Sequence, residues 1–237
     1  MPTWGALDDP DEQAKLEQIK RLLENVKADG HRLVILGDLF DFWFEYKHAV
    51  PKEHHRILFL LHELVERGIK IDYVAGNHDF WVGDFFEKQV GISVYPNELE
   101  FDYEQHRLHL IHGDGLAPAD RGYRLLKRIL RNRLNIWLYR KITPDWGIPL
   151  AKRVAGGSRK HTYGRNNKFA PDYREYAINK LKNGFDIVVL GHLHLPISES
   201  FPEGVYINSG DFIRHFSYVK IDSNGAKLKY LDKDSDS

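Results

Sequence analysis

The sequence predicts a layered α/β fold, and two features of the chain predict it. Short apolar runs alternate with longer stretches in which apolar residues recur at helical spacing. Four of the apolar runs end in Asp, Asn or His, which are side chains that bind divalent metal ions in proteins. Because open α/β sheets place their ligands at the carboxyl ends of parallel strands, we expect the four endings to form one site.

The composition is that of one globular domain. The chain has 237 residues, 42% of them hydrophobic and 29% charged, which is enough for one large domain with a buried core and short for two. It contains no cysteine, which excludes disulfides and thiolate metal sites and fits a cytosolic setting. No apolar run approaches the roughly 18–20 residues of a membrane span, and we expect no signal peptide. There are no internal repeats, so we predict a single domain over residues 1–237.

The first regular element is predicted to be a helix that is not preceded by a strand. Asp9 can cap it, Pro10 suits its first position, and Glu12 can complete a capping box. Apolar residues follow at helical spacing as far as Val26, and Gly30 ends the element.

The remaining elements follow from apolar periodicity and from the turn residues between them. Strands are predicted at 33–36, 69–75, 93–95, 98–103, 107–111 and 186–190, with a closing antiparallel set at 205–208, 216–221 and 227–231. Helices are predicted at 53–67, 121–140 and 172–183, with a short one starting at 85–89.

The chemistry-bearing residues follow four of these strands. They are Asp38, Asn77-His78-Asp79, His112-Gly113-Asp114 and His192-Leu193-His194. A single Gly-Asp or Gly-Asn is usually an ordinary turn, but four such endings in order favour a metal site. Asp, Asn and His suit Mn²⁺, Zn²⁺ or Fe²⁺, and a carboxylate such as Asp38 can bridge two ions that clamp a phosphoryl group. Asp114 and Asp211 are candidates to accept from the ligating imidazoles.

Charge is distributed unevenly along the chain, although the formal net charge is zero. Residues 121–168 hold fourteen Lys or Arg and a single acid, Asp145, and therefore carry a charge of +13. Such a block favours an anionic partner: a phosphate-bearing substrate, a membrane surface or nucleic acid. A solvated basic face is the simpler alternative. The apolar residues between 121 and 140 favour a lipid pocket, so we predict no nucleic-acid partner.

The motifs resemble those of a known enzyme family. Gly37-Asp38, Gly76–Asp79, His112–Asp114 and Gly191–His194 are similar to motifs two to five of the calcineurin-like metallophosphoesterases. More narrowly, three stretches resemble the UDP-2,3-diacylglucosamine hydrolases of lipid A synthesis. These are Gly37–Tyr46, His112–Gly115 with Arg121-Gly122-Tyr123, and Asn208–Asp211. The resemblance covers residues 33–221.

The resemblance implies a four-layer sandwich, two mixed sheets flanked by helices, with a helical cap inserted at residues 119–170. It also implies two divalent metal ions, most often Mn²⁺. By position, Asp38 would bridge them, Asn77, His112 and His192 would complete one site, and His194 would belong to the other. Asn77 and His78 would act in catalysis, with His78 beside the scissile phosphate. The expected substrate contacts are Tyr123, Arg124, Ser158, Asn166 and Lys168.

The reaction implied is attack of water on the α-phosphate of UDP-2,3-diacylglucosamine, giving UMP and 2,3-diacylglucosamine 1-phosphate. It would take place in the cytoplasm at the inner face of the cytoplasmic membrane, with peripheral contact to that membrane. Two alternatives stay open: hydrolysis of another phosphate ester, and a non-catalytic metal-binding role.

One motif of the family has no counterpart in this sequence. The family begins with an apolar strand ending in Asp-x-His, and no Asp-x-His precedes Asp38 here. From the sequence we therefore expect a missing N-terminal strand, one four-ligand metal site and an incomplete second site. Weak or absent catalysis and reduced stability are expected to follow.

Overall fold

The computed structural model describes residues 10–151, 153 and 166–231. Its helices are α1 (Pro10–Asp29), α2 (His55–Glu66), α3 (Arg121–Leu130), α4 (Arg133–Tyr139), α5 (144–151) and α6 (Asn166–Lys182). Its strands are β1 (Arg32–Ile35), β2 (Lys70–Val74), β3 (Ser93–Tyr95), β4 (Glu98–Tyr103), β5 (His106–Ile111), β6 (Ile187–Leu190), β7 (Pro196–Phe201), β8 (Gly204–Ser209), β9 (Ser217–Asp222) and β10 (Gly225–Tyr230). A 3₁₀ turn at Lys52–His54 precedes α2, and Phe86–Val90 forms one π-helical turn.

Two sheets and a hairpin make up the β structure. The first sheet has the order β1-β2-β3 and is parallel throughout. The second has the order β4-β5-β6-β8-β7, with parallel β5, β6 and β8 at its centre and antiparallel strands at both edges. Among the strands that the structure describes, β9 and β10 pair with each other and with no other strand. The first sheet is therefore purely parallel, whereas only the second is mixed.

Strand alternation sorts the apolar side chains into three layers of core, because successive residues of a strand point to opposite faces. In β2, Ile71 and Tyr73 pack toward α1 and α2, while Val74 packs between the two sheets. In β6, Ile187 and Val189 also lie between the sheets, while Val188 and Leu190 pack toward α6. The order is thus helices, sheet, sheet, helix, which is the four-layer arrangement expected.

The predicted helix at 121–140 is two helices. Helix α3 ends at Leu130, and Asn132 adopts an extended conformation (φ −69°, ψ 130°). The Asn132 side chain accepts from the Leu134 amide at 2.8 Å, so it caps the start of α4. Helix α5 was not predicted, and it begins at Pro144, where the missing proline N–H costs nothing.

The predicted closing set of three antiparallel strands is wrong. Strand β8 instead joins the second sheet, parallel to β6, while β9 and β10 form the separate hairpin. Strand β7 was missed. It begins with Pro196 and lies at the sheet edge, which is where a strand tolerates proline.

Within the part of the chain that the structure describes, no helix has the length and apolarity needed to cross a membrane.

Candidate metal centre

Four of the five residues expected to bind metal come together where the carboxyl ends of the two sheets meet. Asp38 follows β1 and Asn77 follows β2 in the first sheet, while His112 follows β5 and His192 follows β6 in the second. The site was expected at strand ends, but it is shared between two sheets. The interface between the sheets therefore fixes how the two pairs of side chains approach each other.

His112 lies at the centre of the cluster. Its Nε2 is 3.0 Å from Asn77 Oδ1, 3.2 Å from His192 Nδ1 and 3.4 Å from Asp38 Oδ2. The ligand atoms of Asp38, His112 and His192 all lie within 4.8 Å of one another.

These atoms lie close enough together to bind one ion, and the tautomer of His112 leaves its Nε2 free of a proton when the ring is neutral. His112 Nδ1 lies 2.6 Å from the Leu36 carbonyl oxygen, which can only accept, so Nδ1 carries the proton. In the neutral ring, Nε2 then faces the Asp38 and Asn77 oxygens as a third acceptor. Metal–ligand bonds of about 2.0–2.2 Å place neighbouring ligand atoms about 3.0–3.5 Å apart. The donor set and its spacing therefore fit a divalent cation.

Electrostatics keep two of these ligands in the form that binds a metal. Burial opposes ionisation of Asp38, but His112 and His78 hold the pKa of its carboxyl far below the usual range. Burial, and then the positive charge of His112, lowers the pKa of His192 to about 3. Burial also disfavours charge on His112, yet the Asp38 carboxylate raises its pKa to about 9. When no cation is bound, His112 is therefore protonated, and its positive charge balances the negative charge of Asp38.

The backbone is strained where these residues sit. Asp38 (φ 53°), His192 (φ 66°) and His194 (φ 55°) adopt left-handed conformations, which are rare for residues other than glycine. Gly76, directly before Asn77, has no room for a side chain. A Cβ there would lie 2.2 Å from Asp38 Oδ1 and 2.5 Å from the Asp38 amide nitrogen. The β1 and β2 loops are therefore in direct backbone contact.

The Asp79 side chain forms hydrogen bonds with both of these loops. Its carboxylate is buried and accepts from the Gly76 amide at 2.9 Å, from the Phe40 amide at 3.4 Å and from the Tyr73 hydroxyl. Phe40 belongs to the β1 loop and Gly76 to the β2 loop. One side chain thus fixes the separation between Asp38 and Asn77.

His78 is held beside the cluster by two contacts. Its amide donates to Asp38 Oδ1 at 2.9 Å, and its ring Nδ1 lies 3.1 Å from the Asp41 carbonyl oxygen. Because that carbonyl accepts, Nδ1 is the protonated nitrogen, and Nε2 is the one that can exchange a proton with a substrate.

The expectation that Asp114 or Asp211 orients a metal-binding imidazole is wrong for His112, whose partner is the Leu36 carbonyl. Asp114 instead accepts from the Tyr123 hydroxyl at 2.6 Å and pairs with Lys127 Nζ at 2.7 Å. Sequence could not identify Leu36, because every residue has a backbone carbonyl.

His194 lies two residues beyond His192, and its ring nitrogens are not among the ligand atoms that group with Asp38, His112 and His192. Its Nδ1 is 4.0 Å from Asp211 Oδ2, which is too long for a hydrogen bond. Asp211 accepts instead from the Ile213 and Arg214 amides and from the His215 ring at 2.8 Å.

Five residues were predicted as substrate contacts. Tyr123 and Arg124 lie on α3 beside the cluster, and Arg124 donates to the Pro118 carbonyl at 2.8 Å. Asn166 is the first residue of α6, Lys168 is exposed on the same helix, and Ser158 lies outside the described residues. Prediction missed Lys127 and Arg131, which recur at helical spacing with Tyr123 on one side of α3.

A basic cleft adjoins the cluster. It has a volume of about 430 Å³ and is lined by Asp114, Gly115, Arg124, Lys127, Arg128 and Arg131. Four cationic side chains face one carboxylate, which already pairs with Lys127. The cleft therefore carries a net positive charge. It adjoins the cluster through Asp114, which follows His112 by two positions in the sequence.

Helices α3, α4 and α5 expose apolar side chains instead of burying them. Trp137 and Leu134 on α4 are 55% and 61% exposed. The others are Leu125, Leu126, Ile129, Leu138, Trp146 and Leu150. On α3 the polarity is inverted, since Tyr123 and Lys127 contact the domain while the leucines face outward. Exposed apolar patches of this kind are typical of interaction surfaces.

A second group, Glu98, Glu100 and His109, also has metal-ligand character. Its cation is already present, because Lys180 Nζ lies 3.3 Å from Glu100 and 3.9 Å from Glu98. His109 is engaged on both ring nitrogens, by Glu100 at 2.8 Å and by the Tyr176 hydroxyl at 3.0 Å.

The chain is similar in sequence to one enzyme family and to several of its members. Residues 11–196 match the model of the calcineurin-like phosphoesterase family. The chain is 30% identical over 228 residues to a UDP-2,3-diacylglucosamine hydrolase of Porphyromonas gingivalis, covering 89% of this chain and 87% of that protein. It is 30% identical over 196 residues to the enzyme of the same name from Aeromonas salmonicida, covering 82% and 75%. A solved archaeal phosphodiesterase superposes with a TM-score of 0.46 at 13% identity, covering 91% of this chain and 93% of that one.

Proposed function

This chain belongs to the calcineurin-like phosphoesterase family, and we propose that it hydrolyses the pyrophosphate bond of UDP-2,3-diacylglucosamine to UMP and 2,3-diacylglucosamine 1-phosphate. The relatives that carry this activity in their names match over most of both chains. The observation that carries the proposal is the juxtaposition of the ligand cluster with the basic cleft, which share the loop at His112–Asp114. A phosphoanion in that cleft would lie next to the metal ligands.

In this proposal Asp38, Asn77, His112 and His192 would hold one divalent ion, with Mn²⁺ the expected metal. Asp38 and His194 are the two expected ligands of a second ion, so we expect turnover to be weak. Bound ions would supply Lewis-acid stabilisation of the phosphoryl group and a more acidic water. The protein's part is to keep Asp38 ionised and His192 neutral, as their shifted pKa values indicate.

His78 and Asn77 act on the substrate itself. Because Nδ1 of His78 is engaged by Asp41, its Nε2 can hold a proton for a phosphoryl oxygen or for the leaving oxygen. Asn77 directs its Oδ1 to His112, so its amide N–H groups remain to donate to the phosphate. Tyr123, Arg124, Ser158, Asn166 and Lys168 remain our proposed contacts to the rest of the substrate.

The direct test is release of UMP from UDP-2,3-diacylglucosamine. We expect release that requires Mn²⁺, stops with a chelator and is lost in Asp38→Ala. Cleavage of bis(p-nitrophenyl) phosphate or other soluble esters at a higher kcat/KM than the lipid would favour a general phosphoesterase. Mn²⁺ binding without any turnover would favour the non-catalytic alternative.

We further propose that helices α3–α5 contact the membrane surface from which the lipid substrate is drawn, at the inner face of the cytoplasmic membrane. Exposed Trp and Leu next to basic side chains are what an interfacial helix needs, since the apolar groups enter the acyl boundary and the cations meet anionic headgroups.

Vesicle binding tests this contact. With vesicles containing phosphatidylglycerol, replacing both Leu134 and Trp137 by serine should weaken binding about tenfold or more, since each buried side chain is worth roughly 1.5–3 kcal/mol. Phe59→Ser is the matched control, because Phe59 is 69% exposed but lies on α2. An equal loss in both variants, or none in the double variant, would contradict the proposal.

A further inference from the structure

Helix α3 touches two of the loops that carry proposed metal ligands. Near its start, Tyr123 donates to Asp114 Oδ2 at 2.6 Å, and Lys127 Nζ lies 2.7 Å from Asp114 Oδ2 and 3.2 Å from the Asp114 carbonyl. Asp114 is two residues beyond His112. This part of α3 therefore holds the β5 loop.

The other end of α3 holds the β2 loop, which carries Asn77 and His78. The Trp81 indole N–H donates to the Leu130 carbonyl at 2.9 Å, which satisfies one of the unpaired carbonyls at the end of α3. Arg131 Nη2 donates to the Gly76 carbonyl at 3.4 Å, directly before Asn77. The same guanidinium lies 5.1 Å from the centre of the Phe80 ring, at the other side of the loop.

Arg131 also connects this loop to the start of β4. Its Nη1 donates to the Pro96 carbonyl and to Asn97 Oδ1, both at 3.3 Å. One planar guanidinium thus links two backbone segments, the β2 loop and the start of β4, to the end of α3. A lysine ammonium on a flexible stem does not reproduce this arrangement. Gly76 cannot move toward Asp38, because the two residues are already packed so closely that no Cβ would fit between them.

From this geometry we infer that Arg131 is a positioning residue, which sets the position of Asn77 and His78 from the end of α3. The inference rests on the proposed function for its choice of ligands. It assigns to α3 a role beyond substrate contact. The helix contacts both the β2 loop and the β5 loop, so it sets the position of Asn77 relative to His112.

The test compares Arg131→Ala and Arg131→Lys with Arg67→Ala, an exposed arginine at the end of α2 that pairs with Glu63. Mn²⁺ affinity is measured by electron paramagnetic resonance titration, and kcat and KM are measured on bis(p-nitrophenyl) phosphate. All assays are run at a temperature where circular dichroism shows each variant folded.

We expect both Arg131 variants to bind Mn²⁺ about tenfold more weakly, the lower end of what loss of an orienting group costs a metal site. Their kcat should fall as well, and Arg67→Ala should match the wild type. Because Arg131 also lines the basic cleft, KM can rise in both variants, so Mn²⁺ affinity and kcat decide the inference. A lowered melting temperature with unchanged Mn²⁺ affinity and kcat would show a merely structural role and overturn the inference. Full recovery in Arg131→Lys would also overturn it, because charge alone would then suffice.

The Mn²⁺ titration separates this inference from the proposed function. If the wild type does not cleave UDP-2,3-diacylglucosamine, the proposed substrate fails while the Arg131 effect on metal affinity still stands or falls by itself. If the lipid is cleaved and Mn²⁺ affinity does not depend on Arg131, the inference fails alone.

Discussion

Replacing Asp38 with asparagine is expected to abolish metal-dependent hydrolysis and leave the fold intact. Asparagine keeps the oxygen that accepts from the His78 amide, so the local hydrogen bond survives. It removes the negative charge of the carboxylate, whose Oδ2 lies 3.4 Å from His112 Nε2. That carboxylate is the group that would contact both cations. We expect kcat/KM to fall by about 10³-fold or more, since the charge stabilisation that a metal supplies is worth several kcal/mol.

Mn²⁺ titration and UMP release are the two measurements, and Asp102→Asn is the control. Asp102 is an exposed carboxylate on β4 and should tolerate the same change with no effect. The wild type stripped of metal with a chelator should show the same residual activity as Asp38→Asn. Mn²⁺ affinity in Asp38→Asn equal to that of the wild type would show that the metal is held elsewhere.

The cluster could be predicted because its signal is local. Each proposed ligand directly follows a strand, and strand direction in a parallel arrangement brings such endings together. Apolar runs and residue type therefore indicated the four strand endings, and the resemblance to the metallophosphoesterases selected Asp38, Asn77, His112 and His192 from them as ligands. The same reasoning identified α1, α2 and most strands, where the periodicity is long or the turn residues are explicit.

The parts that prediction missed depend on tertiary contacts. Leu36 orients His112 through a backbone carbonyl, which no residue type signals. The sequence did not indicate which side of α3 faces the rest of the domain, because Asp114 and the Gly76 carbonyl draw Tyr123, Lys127 and Arg131 to the inner side. Polar contacts with the ligand loops thus override the usual inward direction of the apolar face.

Removing the buried carboxylate of Asp79 is expected to have the largest effect on stability. Asp79→Ala leaves the Tyr73 hydroxyl and the amides of Phe40 and Gly76 without their acceptor, in an interior where water does not replace it. Each unsatisfied buried donor costs about 1–3 kcal/mol. The three losses are coupled, so we expect the free energy of unfolding to drop by about 3–5 kcal/mol, measured by urea denaturation.

Tyr73→Phe separates the hydroxyl from the two amides. It removes one donor and leaves Asp79 bound to Phe40 and Gly76, so its cost should stay near 1–2 kcal/mol. Mn²⁺ affinity should depend on the hydrogen bonds from the two amides. It should fall in Asp79→Ala, where the Gly76 amide loses its acceptor and Asn77 is no longer held in place. It should stay unchanged in Tyr73→Phe. If Asp79→Ala and Tyr73→Phe lowered the free energy of unfolding equally, the Tyr73 hydroxyl would account for all of the stability that Asp79 contributes. In that case the bond from Gly76 to Asp79 does not fix the Asn77 loop, and the distance between Asp38 and Asn77 is set by the close contact of Gly76 with Asp38 instead.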